Sequence, residues 1–250
     1  MRRPSPMRRS SGGPATDRVL DIISAGVPDS ASGRVVVGFN WTAVEGPAAV
    51  GFAATPGRGD GAATTADTGS YGGRPLAALA ALTGSANPYE RAIGIAACNA
   101  HWNADAPDLV DGDGLGGGPA GGRTVVIGRF PGLDAKLPGA VVLERHPGPG
   151  DLPAELAAEV IPGCARLVIT ASTLVNRTVD DLLALAGPET ETTLVGPGAP
   201  LCPGLFRLGI RRLAGFVATD REGCLKAIME GAGARAFRRF GRAVVRQSRD

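Results

Sequence analysis

The chain has 250 residues, 44% of them hydrophobic and only 4% aromatic, with 38 glycines and 20 prolines. A core of that size has to be built from Val, Leu, Ile and Ala between frequent turns, which suits a many-stranded α/β protein better than a helical bundle. The net charge of +2 hides a partition: ten arginines sit at the two ends (Arg2, Arg3, Arg8, Arg9; Arg235, Arg238, Arg239, Arg242, Arg246, Arg249), so the body between is acidic, which argues against a broad nucleic-acid-binding face.

In chain order, residues 1–15 read as a disordered tail, with no apolar run behind the charges of the kind a signal peptide needs. Thr16 suits the cap of a helix carrying Val19, Leu20, Ile22 and Ile23, which Gly26 and Pro28 end. Arg34–Phe39 and Ala49–Ala54 read as a hairpin turning around Glu45-Gly46-Pro47, with Asn40 and Trp41 at its bend. Thr55–Gly73 is a long loop of the kind that covers a site. A short helix over Arg74–Leu82 is followed by one that opens at Asn87-Pro88-Tyr89-Glu90-Arg91 and runs to Trp102. Its Pro falls where a missing N–H costs little, and Ala92–Ala97 is apolar all round, so this helix should be buried between layers.

Residues 104–122 have a linker composition and divide the chain into domains over 16–103 and 123–250. Asp111-Gly112-Asp113-Gly114 matches only part of a calcium loop. Beyond it, Thr124–Ile127, Ala140–Leu143, Leu167–Ile169, Thr192–Val195 and Leu213–Val217 are short apolar runs separated mostly by helical segments or short turns of one, with a helix over Asp151–Val160 after the second. This alternation predicts a mainly parallel sheet. Right-handed crossovers then bring Gly128, Glu144, Thr170 and Gly196 to one edge. The organising stretch is Arg166–Leu183: a buried strand, a polar turn bearing Thr170, Ser172, Thr173 and Asn176, and a helix that Thr178 and Asp181 open as a capping box. Hydroxyls and free N–H groups at such a place either hold an anion or simply close the turn.

Among chemistry-bearing residues, Glu144 at a strand end suits a ribose hydroxyl, a metal or general-base work, with a surface ion pair as the plainer role. Gly196-Pro197-Gly198 offers a backbone platform or a tight turn. Gly128-Arg129-Phe130-Pro131-Gly132 replaces the G-x-G-x-x-G pattern, so no NAD fingerprint is present. Cys98, Cys164, Cys202 and Cys224 are widely spaced and read as reduced thiols. Glu144, His146 and Cys202 are weak candidates for a metal at the sheet edge; Cys98 and His101 share a helix face, although Cys98 reads better as core. No nucleophile elbow is visible, and no apolar stretch approaches the length that crosses a bilayer.

Taken in order, VVIGRFPGL (125–133), VVLERHPGPGDLP (141–153), VITASTLVNRTVDDLL (168–183), VGPGAPLCPGLFRLGI (195–210) and LAGFVATD (213–220) resemble the Rossmann-like domain of the "putative heavy-metal chelation" family. GFNWTAVEG (38–46), VGFAATP (50–56) and NPYERAIGIAACNAHWN (87–103) are similar to the enolase-amino-terminal-like α+β domain that precedes it there. The resemblance implies two domains enclosing a cavity. Its candidate residues are Glu144, Thr170, Ser172, Asn176, Gly196 and Pro197 from the second domain and Asn87, Glu90 and Asn99 from the first. Arg177 stands where the family commonly has a small residue, which would make this turn more basic. The expectation is a cytoplasmic protein whose interdomain cleft binds a divalent or heavy-metal ion or an anionic metal chelate. An enzyme acting on a small anionic metabolite, with Glu144 as base, and a non-catalytic partner subunit are the alternatives. A homodimer is left open; no membrane or nucleic-acid partner is expected.

Overall fold

The computed structural model describes residues 18–57, 64–66, 71–116, 118 and 121–248. The expected tail and parts of the Thr55–Gly73 loop and of the linker therefore lie outside the described residues. The elements are α1 (Arg18–Ala25), β1 (Val35–Val37), β2 (Trp41–Glu45), β3 (Val50–Ala54), α2 (Leu76–Ala80), α3 (Pro88–Trp102), β4 (Val110–Asp111), β5 (Thr124–Ile127), α4 (Leu133–Lys136), β6 (Val141–Glu144), β7 (Leu152–Pro153), α5 (Ala157–Val160), β8 (Arg166–Thr170), α6 (Ser172–Val175), α7 (Val179–Leu185), β9 (Glu191–Val195), β10 (Ile210–Ala218), α8 (Arg221–Met229), α9 (Ala234–Phe237) and β11 (Gly241–Gln247).

The strands form a three-stranded antiparallel sheet, β1-β2-β3, and an eight-stranded sheet in the order β4-β11-β10-β9-β8-β5-β6-β7. From β7 to β10 every pairing is parallel. Taken by chain position, these six strands run 3-2-1-4-5-6, the doubly wound order, with β5 at the point where the winding reverses. Both faces are covered, which is why each strand reads as an unbroken apolar run. Val125, Ile127, Leu143, Leu167, Ile169 and Leu194 face the main core, while Val126, Val142, Val168 and Val195 pack under Leu115 and Leu133.

The first-domain sheet shows the two-residue period. Val50 and Phe52 of β3 join an aromatic cluster with Phe216 and Phe237, whereas Ala53 turns to α3. Phe52 stacks on Phe237 at 5.2 Å, and Trp41 meets the same ring edge-on at 5.4 Å. Helix α3 opens with Asn87 accepting the Tyr89 N–H at 2.9 Å and is buried along nearly its whole length. Its apolar residues share one continuous core with both sheets. Gly51 permits this packing: a Cβ there would lie 2.0 Å from the Ala96 carbonyl oxygen and 2.1 Å from the Ala100 nitrogen.

Several expectations need correction. Val35–Glu45 holds two strands, with the turn at Gly38–Asn40; Trp41 begins β2, because Trp41 and Ala43 have an apolar cluster to face. Asp151–Val160 is a two-residue strand, a 3-10 turn and a four-residue helix, since Leu152 pairs with Leu143 before any helix forms. Thr178 precedes α7 without a side-chain cap, its hydroxyl donating instead to Asn176 Oδ1 at 2.7 Å.

The Arg-rich carboxyl-terminal stretch is an element of the large sheet. Strand β11 pairs with β10, and β4, from within the linker composition, pairs with β11. Charge explains the docking. Arg242 pairs with Asp105 and Asp111, and Arg246 with Asp108 at 2.9 Å. Among the described residues no helix is long and apolar enough to cross a membrane.

Gly51→Ala should cost about 3 kcal/mol, because backbone atoms cannot yield to the added methyl. Urea denaturation reads this directly, and an unchanged midpoint would show that α3 does not lie this close to β3.

Candidate functional site

Two cavities open at the carboxyl ends of the parallel strands. The larger, about 590 Å³, lies between the two sheets, within the size range of small-molecule sites. Trp41 and Ala54 contribute its first-domain wall, and Gly196-Pro197-Gly198, Ala171 and Phe130 the second-domain side. Its charge is one-sided: among the described residues Arg129, Lys136, Arg235 and Arg238 line it against a single carboxylate, Asp113. The smaller, about 240 Å³, sits over the ends of β5, β6 and β8 and holds Gly128, Glu144, Ser172, Asn176 and an apolar lining that includes Leu143, Leu182 and Leu185. Thr170 and Ser172 line both, their hydroxyls hydrogen-bonded to one another.

The cations of the larger cavity differ in how they are held. Arg129 is clamped by Asp151 at 2.7 Å and Asp134 at 2.8 Å, and its guanidinium holds the Asp151 carboxyl below the usual carboxylate range. Lys136 pairs with Asp113. Arg235 and Arg238 form no ion pair or side-chain hydrogen bond among the described residues and are exposed at the mouth. They are carried on α9 and the turn after it, which buried Phe237 anchors to the aromatic cluster.

The Gly196–Leu201 loop is fixed from behind by Asn99 of α3 and by Asn103, the residue that caps the carboxyl end of that helix. Asn99 Nδ2 donates to the carbonyls of Phe52 at 2.7 Å and Gly198 at 2.8 Å, joining the first-domain sheet to the loop. Asn103 Nδ2 donates to the Ala199 carbonyl at 3.0 Å, and its Oδ1 accepts from the Leu201 N–H at 2.9 Å. Gly196 has φ +130°, which a glycine tolerates and a larger residue does not.

The sequence candidates divide accordingly. Gly128, Glu144, Thr170, Ser172 and Asn176 gather in the smaller cavity, while Gly196 and Pro197 line the larger one with Thr170 and Ser172. Asn87, Glu90 and Asn99 line neither. Asn87 caps α3 and donates to the Thr64 carbonyl; Glu90 accepts from Tyr71 at 2.9 Å and Ser85 at 2.6 Å; Asn99 is buried behind the wall. Arg177, at φ +59°, does not add charge to a cavity, because its guanidinium donates to the Gly84 carbonyl at 3.0 Å. Asn103, Arg235 and Arg238 were missed. The spacing of Asn99 and Asn103, four apart on a buried helix, was the available sign of the first, since amides on such a face need backbone partners.

The proposed metal ligands do not assemble. Glu144 lines the smaller cavity, His146 is exposed beyond it, and Cys202 is buried in the main core with Cys98. Burial pushes all four thiols up, Cys224 to about 12, so none is a ready thiolate. Among the described residues no three His, Cys, Asp or Glu side chains come together to hold an ion. Asp111 and Asp113 of the partial calcium motif are paired with Arg242 and Lys136.

The fold and site define a two-domain α/β protein with a doubly wound sheet and a cationic cavity between its lobes. Two family models, both described as putative heavy-metal chelation, match residues 117–247 (DUF364) and 21–102 (DUF4213). The chain belongs to the DUF364 family. A crystal structure of a DUF364 protein of unknown function from Desulfitobacterium hafniense is similar at a TM-score of 0.80 and 27% identity, over 92% of this chain and 97% of that one. A second, from Pyrococcus horikoshii, shares the fold at a TM-score of 0.79 and 23% identity, over 93% and 99%. No curated protein matches the chain.

Asn103→Ala should destabilise the chain by about 2 kcal/mol, since it strands the Ala199 carbonyl and the Leu201 N–H in a buried setting. Hydrogen exchange at the Leu201 amide should accelerate with it. Unchanged melting and unchanged exchange would mean that the loop is held by something else.

Proposed function

We propose that the protein binds an anionic metal chelate in the cavity between its lobes, the ligand's own donors carrying the metal and the protein supplying the counter-charge. The observation behind this reading is the pairing pattern of the four cations. Two are neutralised by carboxylates, and Arg235 and Arg238 are left to face a ligand. A low-dielectric wall of Trp41, Phe130 and Ala171 strengthens their attraction for an anion. The platform Gly196-Pro197-Gly198 and the hydroxyls of Thr170 and Ser172 would orient the ligand. Direct capture of a bare heavy-metal ion fits the donor set poorly, because the thiols are buried away from the cavity and the carboxylates nearest it are already paired. Glu144 has both carboxylate oxygens on backbone N–H groups, Arg129 at 2.7 Å and Arg145 at 3.0 Å, which fixes its orientation as a hydrogen-bond acceptor.

Titration calorimetry with a metal–citrate chelate tests the reading against the aquo metal ion. The chelate should bind, with affinity falling as salt is raised. Arg235→Glu with Arg238→Glu should weaken it by about tenfold or more, and Lys226→Glu, on the exposed side of α8, should change nothing. Tight binding of the aquo ion with none of the chelate would contradict the proposal.

A further inference from the structure

The smaller cavity has a chemistry of its own that an anion site does not use. It lies where the winding of the sheet reverses, over the carboxyl ends of β5, β6 and β8, and it combines an apolar floor with polar groups that include Glu144, Arg145, Asn176, Thr178 and Asp181. Ile127, Leu143, Ala154, Ala157, Leu182 and Leu185 supply surfaces for a flat ring. On the rim, at the end of the second strand, stands Glu144. Each of its oxygens accepts one backbone N–H, from Arg129 or Arg145, so the carboxylate is held in one orientation with a further lone pair on each oxygen. Two acceptors at carboxylate spacing match the vicinal hydroxyls of a ribose, and in a sheet of this strand order that is where a ribose hydroxyl meets an acid. Asn176 also lines the cavity; its Oδ1 is occupied by the Thr178 N–H and hydroxyl, which leaves its amide N–H groups to donate.

We infer that this cavity is a nucleoside subsite: ring on the apolar floor, ribose hydroxyls on Glu144. Its volume accepts one ring-plus-sugar unit. A dinucleotide is excluded on separate grounds. Pro131 interrupts the glycine pattern after β5, α4 has only four residues, and the segment Arg129–Gly132 lines the other cavity in place of a phosphate cradle. A charged group on the nucleoside would instead pass the seam at Thr170 and Ser172 toward Arg235 and Arg238. That last step rests on the anion-binding reading above; the subsite itself does not.

Neutral probes separate the two. Calorimetry or saturation-transfer NMR on the full chain should detect adenosine, with 2′-deoxyadenosine bound about tenfold more weakly for want of the second hydroxyl. Glu144→Gln should weaken adenosine by a similar factor. Ala154→Trp, which fills the floor, should abolish binding. Arg235→Glu with Arg238→Glu should leave adenosine unchanged and weaken adenosine monophosphate. Equal binding of adenosine and its deoxy analogue, indifference to both cavity variants, or no binding up to the solubility limit would overturn the inference. Methyl riboside binding as well as adenosine would also overturn it, since the floor would then have no part in recognition. Chelate binding by the unaltered chain without any adenosine binding rejects the subsite alone.

Discussion

Everything at the site depends on how closely one buried helix approaches two sheets. Because residue 51 lacks a side chain, α3 lies directly on β3, and from there Asn99 and Asn103 reach the backbone of the β9–β10 loop. Hydrogen bonds from the buried Asn99 amide to a β3 carbonyl and to a carbonyl of the β9–β10 loop fix their separation more firmly than apolar contact alone, since a displaced partner is left unsatisfied with no water to replace it. The cavity between the lobes is therefore a built gap of fixed width. Behind it one core runs through α3 from the first domain into the second.

Charge then decides what such a gap can hold. The acidic body is spent largely on arginines: Asp105, Asp108 and Asp111 dock the linker composition onto Arg242 and Arg246 of β11, and Asp134 and Asp151 clamp Arg129. Pairing β11 into the sheet carries the segment just before it to the cavity mouth, where Phe237 pins it among Trp41, Phe52 and Phe216. Among the described residues Arg235 and Arg238 have no carboxylate partner there. A positive mouth over an apolar wall follows from the topology of the last strand.

Much of this was legible beforehand. The five apolar runs of the second half are the parallel strands β5, β6, β8, β9 and β10, because burial on both faces demands uninterrupted Val, Ile and Leu. The convergence of Gly128, Glu144, Thr170 and Gly196 at one edge follows from right-handed crossovers, and the all-apolar Ala92–Ala97 marked α3 as an internal helix. What stayed hidden was non-local. β4 and β11 are stabilised by ion pairs more than 130 residues apart in sequence, so neither pattern nor composition announces them, and a glycine-rich acidic run reads as linker until its cationic partner is known. Asn87 and Glu90 were candidates through the family resemblance alone; their partners are in the chain itself.

The most direct measurement is a crystal structure of the full chain soaked with a metal–citrate chelate, with the metal located by its anomalous scattering. The account predicts one peak in the gap between Trp41 and Gly196-Pro197-Gly198, its ligand atoms drawn from citrate, with Arg235 and Arg238 turned toward the carboxylates. A peak bound directly by Cys or His side chains, or a gap left empty while metal occupies another surface, would contradict it.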